Sequence, residues 1–299
     1  MQIRTDLAIE CREMFAEEIS GVESRKRDED GITVTHVEIT TKEGAEKIGK
    51  PIGNYITIEI DQLHRDDEEI FKRGSKAVEM ELSKLIKVSP KDSVLVVGLG
   101  NRYITPDSIG PKTVGKLTVT RHITKEAGNG FDFGIRAVSA VAPGVLGITG
   151  IETTEIVRGV VEHVKPTLII AIDALASRKL SRLGTTIQLS DTGISPGSGV
   201  GNNRKELTKA TLGVPVIAVG VPMVVDAVTL TIDVMELLSN YIKKNHREVN
   251  VPSYDNPELL NAAIPENLVV TPNDVDVISE QASDIIAEGI NMALLGTIS

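Results

Sequence analysis

The stretch TLIIAIDA, residues 167–174, is a continuous apolar run that ends at an acidic residue, Asp173. Three other apolar runs end in glycine or proline: SVLVVGLG at 93–100, IRAVSAVAPG at 135–144 and VPVIAVGVP at 214–222. Runs without polar alternation are typical of strands that are buried on both faces of a sheet. Segments with helical spacing lie between or after them, at 106–117, 152–164 and 223–244. This order predicts an α/β fold, a mostly parallel twisted sheet with helices on both faces.

The rest of the chain extends this core. We expect a single α/β domain over residues 1–299, with the core at 93–245. A β-rich N-terminal extension, 7–92, contains two segments that alternate apolar and polar residues, at 31–40 and 53–60, and helical spacing at 66–87. The charged segment 23–31, ESRKRDEDG, predicts a solvated loop. Residues 246–299 predict a connector followed by a helix that starts near Thr271 and Pro272.

Composition excludes several classes of protein. The formal net charge of −10 argues against a protein that binds nucleic acid through phosphate contacts. The apolar runs are too short to span a bilayer, and the N-terminus lacks the apolar segment of a secretory signal. The single cysteine, Cys11, fits a reducing cytoplasm and is interpreted as a bystander thiol. We therefore expect a cytoplasmic protein with no membrane contact.

Two carboxylates follow neighbouring buried runs. Asp173 comes directly after the run at 167–172, and Asp107 lies in the segment GLGNRYITPDSIGP that follows the run at 93–98. Ligands of open α/β sheets bind beyond the carboxyl ends of the strands, so this is where chemistry is expected. Two other interpretations stay open. Asp107 can cap a helix with Thr105 and Pro106 at its start, and Asp173 can form an ion pair with Arg178 or Lys179.

A facing pair of carboxylates would have a specific chemistry. At about 4 Å and an effective dielectric near 20, two such charges repel by roughly 4 kcal/mol. That energy equals about three pKa units, so the pair would hold one proton near neutral pH. One member would then be a base and the other an acid. This suits the attack of water on an amide, in which the acid protonates the leaving nitrogen.

The glycine-rich segment SPGSGVGNN, 195–203, follows the strand predicted at 184–189. Its backbone N–H groups could hold an oxyanion, a peptide backbone or a phosphate, and a plain structural loop is an equal alternative. Its residues with this potential are Gly197, Ser198, Gly199, Gly201 and Asn202. It has neither the spacing of a P-loop nor the position of a dinucleotide fingerprint.

The tripeptide Asp191-Thr192-Gly193 resembles the catalytic motif of pepsin-like proteases, but those are all-β proteins, so we expect a turn in which Asp191 bonds its own backbone. A metal site has weak support, because no histidine directly follows a buried run. The histidines are His36, His64, His122, His163 and His246.

Five blocks of the sequence form a distinctive set in this order: RTDLAIE at 4–10, GNYITIE at 53–59, VVGLGNRYITPDSIGP at 96–111, AIDALASR at 171–178 and SDTGISPGSGVGNNRKEL at 190–207. Together they resemble the germination protease family of spore-forming bacteria. The 96–111 block is also similar to hydrogenase-maturation endopeptidases and peptidyl-tRNA hydrolases, and the expected core has this phosphorylase-like α/β architecture. The segment 249–271 is shorter than the resemblance implies.

The resemblance implies an atypical aspartic endopeptidase that degrades small acid-soluble spore proteins in the spore core during germination. It implies that Asp107 and Asp173 are the catalytic pair, with no cofactor and no metal. It also implies a homotetramer, and a zymogen that removes residues 1–6 by cutting between Asp6 and Leu7. Two other hypotheses are a metal-dependent peptidase in which the same aspartates are ligands, and a non-enzymatic module that binds peptides.

Overall fold

The computed structural model describes residues 4–63, 65, 67–89, 91–126, 134–195, 205–244, 263–265 and 267–296. Within them, nine strands form one sheet. The strands are Val22–Glu29 (β1), Ile32–Ile39 (β2), Gly53–Ile60 (β3), Val94–Gly98 (β4), Val138–Val141 (β5), Leu168–Ser177 (β6), Thr186–Ser190 (β7), Val216–Asp226 (β8) and Val269–Val270 (β9).

Ten α-helices can be traced over the same residues. They are Ala8–Glu13 (α1), Lys42–Ile48 (α2), Glu68–Leu85 (α3), Ile109–Gly115 (α4), Arg121–Glu126 (α5), Leu146–Thr149 (α6), Thr153–Val164 (α7), Lys209–Leu212 (α8), Ala227–Lys244 (α9) and Val275–Leu295 (α10). Short 3-10 turns occur at Thr105–Asp107 and Leu180–Arg182. None of the described helices is both long and apolar enough to cross a membrane.

The sheet has a parallel half and an antiparallel half. Its strand order is β1-β2-β3-β7-β8-β6-β4-β5, with β9 beside β8. The neighbours β8, β6, β4 and β5 are parallel, and they are the four runs predicted to be buried strands. Strands β1, β2, β3 and β7 continue the same sheet as antiparallel neighbours. The α/β class is confirmed, and the sheet is mixed because the N-terminal strands join it directly.

Both faces of the central strands are covered, as predicted. Along β6, Ile170 and Ile172 pack into a cluster that contains residues of α3 and α10. Ile169 and Ala171, which alternate with them, pack into a second cluster with α7 and with Leu7. This alternation follows from the period of two in a strand. It places Asp173 on the second face, between Ala171 and Leu175 in its row of side chains.

The segment predicted to be a solvated loop at 23–31 is largely a strand, so that prediction is wrong. Val22–Glu29 pairs with β2 along its whole length, from Val22 opposite Ile39 to Glu29 opposite Ile32. Its charged side chains are exposed because β1 lies at the edge of the sheet, where charge discourages pairing with other chains. Asp30 and Gly31 close the hairpin with φ of 49° and 76°, and this Asp-Gly pair was the signal for it.

Two predicted helix starts also move. Residues 223–226 belong to β8, whose last residues pair with β9, and helix α9 begins only at Ala227. The C-terminal helix begins at Val275 and not near Thr271 and Pro272. The Thr271 hydroxyl donates to the carbonyl of Met223, so it ties the chain to β8 and does not cap the helix.

The first turn of α4 packs directly on the end of β4. A Cβ added at Gly110 would lie 2.3 Å from the carbonyl oxygen of Leu99, and one added at Gly98 would lie 2.2 Å from the carbonyl oxygen of Gly110. Only residues without side chains allow this approach. It draws the segment between β4 and α4, which contains Asp107, onto the carboxyl end of the sheet.

We predict that Gly110→Ala lowers the free energy of unfolding by about 2 kcal/mol, because the new methyl group would overlap backbone that has no room to shift. Gly115→Ala in the same helix is the matched control, since nothing lies within 4 Å of a Cβ there. Urea unfolding of both variants measures the difference. Equal stability of the two would contradict the close packing of α4 on β4.

Candidate active site

Asp107 lies at the end of the 3-10 turn that follows β4. One carboxylate oxygen, Oδ2, accepts a hydrogen bond from the backbone N–H of Asn101 at 2.8 Å. Gly100 has a φ of +103°, and a Cβ there would lie 2.1 Å from the carbonyl oxygen of Asp107. Thr105 lies inside the turn, and α4 begins at Ile109, so Thr105 does not cap that helix as the alternative required. The loop thus folds back to hold the carboxylate beside the strand end.

The turn is also fixed from the other side. Ser108 donates its hydroxyl to the carbonyl of Thr105 at 2.7 Å, and lies 3.0 Å from the hydroxyl of Ser279 on α10. Both serines are almost completely buried. The turn therefore has little freedom, and the backbone of Asp107 is held in place by contacts on both faces.

Asp173 lies inside β6, which continues past the predicted end at Ile172 as far as Ser177, and it is only 4% exposed. Its Oδ1 accepts a hydrogen bond from the N–H of Ala174 at 2.9 Å. The side chains of the two cations offered by the sequence bind other carboxylates. Arg178 contacts Asp233 and Glu236, and Lys179 contacts Glu13.

The loop that holds Asp107 and the part of β6 that holds Asp173 both lie at the carboxyl end of β4. Strands β4 and β6 are parallel neighbours, and Gly98 pairs with Ile172. The N–H of Leu99 then donates to the carbonyl of Ile172 at 2.8 Å. Asp173 is the residue after Ile172, and the loop that holds Asp107 starts at Leu99. The 3-10 turn of Asp107 also contacts β6 and β8. The catalytic role of the pair remains a prediction.

The predicted cleavage site, Asp6 and Leu7, lies against β6, the strand that contains Asp173. The N–H of Asp6 donates to the carbonyl of Ala176 at 2.9 Å, and the N–H of Ala176 donates to Oδ2 of Asp6 at 2.8 Å. Ala176 is three residues after Asp173. Leu7 is fully buried in the cluster that contains Leu175. The segment is thus anchored beyond Asp173, on the strand that carries it.

Gln188 on β7 also contacts this segment, although the sequence did not single it out. Its side-chain Nε2 donates to the carbonyl of Asp6 at 3.2 Å, and its Oε1 accepts from the N–H of Ala8 at 2.8 Å. It is 8% exposed. A polar residue between the apolar residues Ile187 and Leu189 was the available signal, because a buried amide needs partners.

The predicted glycine-rich loop residues Gly197, Ser198, Gly199, Gly201 and Asn202 lie outside the described residues. The two ends of that segment are paired, since Ile194 and Leu207 exchange two backbone hydrogen bonds of 3.0 and 2.9 Å. Both also pack in the cluster that contains Leu7. The base of the loop therefore lies on the same face of the sheet as the Asp6–Leu7 segment.

Asp191 does not bond its own backbone in the way that the sequence predicted. Its Oδ1 accepts from the N–H of Asn54 at 2.8 Å, and its Oδ2 accepts from the Asn54 side chain at 2.7 Å. These bonds join the end of β7 to the start of β3. Asp191 therefore has a structural role between two strands, which fits the interpretation that its resemblance to a protease motif is incidental.

Cys11 behaves as a bystander in α1. It is 6% exposed, and burial raises the pKa of its thiol, which disfavours the reactive thiolate. Among the described residues, no group of three or more histidine, cysteine, aspartate and glutamate side chains is arranged to hold a metal ion.

A family model described as germination protease matches residues 3–257. The chain belongs to the germination protease family. Germination proteases of Caldanaerobacter subterraneus subsp. tengcongensis and Clostridium acetobutylicum are 48% and 49% identical to it, each over 98% of this chain and 94% and 95% of their own lengths. That of Bacillus cereus is 39% identical over 98% of this chain and 93% of its own. The chain is therefore a peptidase.

A solved structure is also similar to this germination protease family member. It is the NiFe hydrogenase maturation protease HycI from Thermococcus kodakarensis, which is 16% identical. The match covers 55% of this chain and 99% of that one, with a TM-score of 0.31.

In this member of the germination protease family, helix α1 is held against the sheet by a buried arginine. Arg182 contacts Glu13 at 2.6 Å, Glu59 at 3.0 Å and Glu10 at 3.5 Å. Glu10 also accepts hydrogen bonds from the backbone N–H groups of Arg178 and Lys179. Because α1 begins at Ala8, this network fixes the position of the segment that precedes it.

The network predicts a specific response to acid. Burial by itself would raise the pKa of Glu13, but hydrogen bonds from Arg182 and Lys179 outweigh it and lower the pKa to about 2. The folded-state pKa thus lies below the ordinary value of 4.5. The ionised form therefore adds stability above pH 4.5, and this is lost as pH falls towards 2.

We predict that the free energy of unfolding of Glu13→Gln falls less than that of the wild type between pH 4.5 and 2. The difference should be about 1 kcal/mol after allowance for the exposed part of the side chain. Glu17→Gln, at an exposed position nearby, is the control and should follow the wild type. Unfolding free energies measured at several pH values give the comparison. Parallel acid branches for wild type and Glu13→Gln would contradict the prediction.

Proposed function

We propose that this chain is an endopeptidase that begins the degradation of small acid-soluble spore proteins when spores germinate, acting in the spore core. Membership of the germination protease family supports this function, as does the name of its relatives. The observation that carries the mechanism is the hydrogen bond from Leu99 to Ile172. It joins the start of the loop that contains Asp107 to the middle of β6, so that two carboxylates from distant parts of the chain lie near the carboxyl end of β4.

In the proposed reaction the pair Asp107 and Asp173 holds one proton between two carboxylates. The ionised member takes a proton from a water molecule, and the water oxygen attacks the carbonyl carbon of the peptide bond. The protonated member gives its proton to the leaving nitrogen as the C–N bond breaks. One water is consumed and one carboxylic acid and one amine are formed, between which a proton then passes, while the pair ends with one proton, as it began.

The chain is also proposed to be its own first substrate, as a zymogen that is cut between Asp6 and Leu7. Two contacts support this choice of bond. The carboxylate of Asp6 accepts the N–H of Ala176, so an acidic residue is recognised before the bond. Its backbone N–H donates to the carbonyl of the same residue, which aligns the segment with β6. In such a scheme the peptide lies close to the strand that carries Asp173.

We predict that Asp107→Asn and Asp173→Asn each abolish both self-processing and cleavage of a spore-protein peptide, by about four orders of magnitude or more. Each amide preserves the shape of the side chain but cannot exchange a proton with water. Asp191→Asn is the control, because Asp191 joins two strands through Asn54 and should leave both activities in place. The readout is peptide cleavage followed by chromatography, with circular dichroism to verify folding.

Three outcomes would overturn parts of this proposal. Cleavage by folded Asp173→Asn would contradict the aspartate pair. Activity that is lost with a chelator and restored by one metal would favour the metal-dependent peptidase instead. A wild-type chain that binds the peptide without cutting it, even after prolonged incubation, would favour the binding module.

Recognition of the Asp6 side chain gives a separate prediction. Asp6→Ala should slow self-processing by about 10-fold or more, because the N–H of Ala176 loses its acceptor. Asp6→Asn retains an acceptor oxygen and should be affected less. Mass spectrometry of the wild-type protein over time should show a product that starts at Leu7. Equal rates for wild type and Asp6→Ala would remove any role of the carboxylate.

The homotetramer implied by the resemblance remains part of the proposal. In the single chain, helix α9 presents Leu237, Leu238 and Tyr241 to solvent, with 70%, 53% and 67% of their surfaces exposed. Adjacent exposed apolar side chains of this kind are typical of surfaces that other subunits cover.

A further inference from the structure

The side chain of Gln188 holds the backbone on both sides of Leu7. Its Nε2 donates to the carbonyl of Asp6 and its Oε1 accepts from the N–H of Ala8. A residue of a parallel strand makes the same pair of bonds, to the residues before and after its neighbour. Gln188 therefore acts as a one-residue strand that aligns the segment.

We propose that Gln188 positions the Asp6–Leu7 bond for cleavage and stabilises the negative charge that forms on the Asp6 carbonyl oxygen. This inference rests on the proposed self-processing at that bond. When water attacks the carbonyl carbon, the oxygen that accepts from Nε2 becomes the oxyanion. A donor that is already in place at 3.2 Å stabilises this charge without reorganisation.

The position of Gln188 in the sheet supports this role. In register, Gln188 on β7 pairs with Gly220 on β8, and Gly220 pairs with Asp173 on β6. Paired residues point to the same face, so Gln188 and Asp173 lie in one row, two strand spacings or about 10 Å apart. Gly220 has no side chain, and the side chain of Leu175 lies over it, 2.5 Å from where a Cβ would be. Leu175 and Leu7 pack in one cluster, so this row lies on the face where Leu7 is buried.

The two hydrogen bonds of the Gln188 side chain form a clamp that recognises backbone, whereas the N–H of Ala176 recognises a side chain. In the described part of the chain, the side chain of Gln188 hydrogen-bonds the carbonyl of Asp6 and the N–H of Ala8, both backbone groups, so it sets which bond is presented, whatever the residue between them. Ala176 contacts the carboxylate of Asp6 and so selects the residue before that bond. Loss of Gln188 should therefore reduce the rate of self-processing and allow cleavage at neighbouring bonds. Loss of the Asp6 carboxylate should reduce the rate alone.

The test is Gln188→Glu in the full chain, with self-processing followed by mass spectrometry. A glutamate has the same shape and can accept from Ala8, but in its ionised form it cannot donate to the carbonyl of Asp6. We expect processing to be about 100-fold slower than in the wild type at neutral pH. The deficit relative to wild type should shrink as pH falls and the glutamate becomes protonated, because its O–H can then donate.

Two further variants separate positioning from simple damage to the sheet. Gln188→Met cannot donate at any pH, so it should be slow throughout and show no recovery in acid. Thr57→Val is the matched control: Thr57 pairs with Gln188 in register, and its buried hydroxyl has no hydrogen-bond partner in the described part of the chain. This variant should process at the wild-type rate.

A third variant tests the clamp without altering Gln188. Ala8 is the first residue of α1, where proline is tolerated, and the preceding Leu7 has φ −82° and ψ 120°, which proline also permits. Ala8→Pro removes the N–H that Gln188 accepts, so we expect processing at least about 10-fold slower with α1 intact. It gives a decision even if the substitutions at Gln188 prevent folding.

The outcomes distinguish this inference from the proposed function. If the wild type is cut at Asp6–Leu7, and both folded Gln188→Glu and Ala8→Pro are cut at the same bond at wild-type rates, the role of Gln188 is wrong and the function stands. If the wild type is not cut there, the proposed self-processing fails. Equal deficits of Gln188→Glu and Gln188→Met at every pH would contradict donation to the carbonyl.

Discussion

The hydrogen bond from Leu99 to Ile172 is the interaction on which the proposed active site depends. At 2.8 Å it joins Leu99, the residue after the end of β4, to the middle of β6, at the point where β4 stops and β6 continues. Asp173 follows immediately, and the glycines at 98, 100 and 110 allow the loop of Asp107 to fold back onto the same place. The geometry of the proposed site therefore follows largely from backbone packing.

Strand β6 extends beyond the end of β4, and the extra residues bind the N-terminal segment. Residues Asp173–Ser177 lie past the last β4 pair at Ile172, and Asp6 attaches there through both hydrogen-bonding groups of Ala176. Arg182 and the carboxylates around it hold α1, which begins at Ala8, two residues after Asp6. The N-terminal segment is thus bound along β6 at Ala176, three residues beyond Asp173.

Local sequence was sufficient for the central fold and for the aspartates. Each of the four parallel strands contains an apolar run. Asp173 directly follows the run at 167–172, and Asp107 lies in the segment after the run at 93–98. Strand β1 was missed because its charged residues resemble a loop when the pairing partner is not considered. Gln188 was missed for a different reason. Its partner Ala8 lies 180 residues away in the chain, and no local pattern reports which distant backbone a buried amide will bind.

The most direct measurement is a titration of the carboxyl groups of Asp107 and Asp173 by isotope-edited NMR, in the wild type and in each asparagine variant. If the two groups share a proton, the wild type shows two well-separated steps, and both signals respond in each step because the groups are coupled. Replacing either residue should return the other to a single step. Two independent steps near pH 4 in the wild type, unchanged by substitution of the partner, would contradict a shared proton and with it the proposed hydrolytic pair.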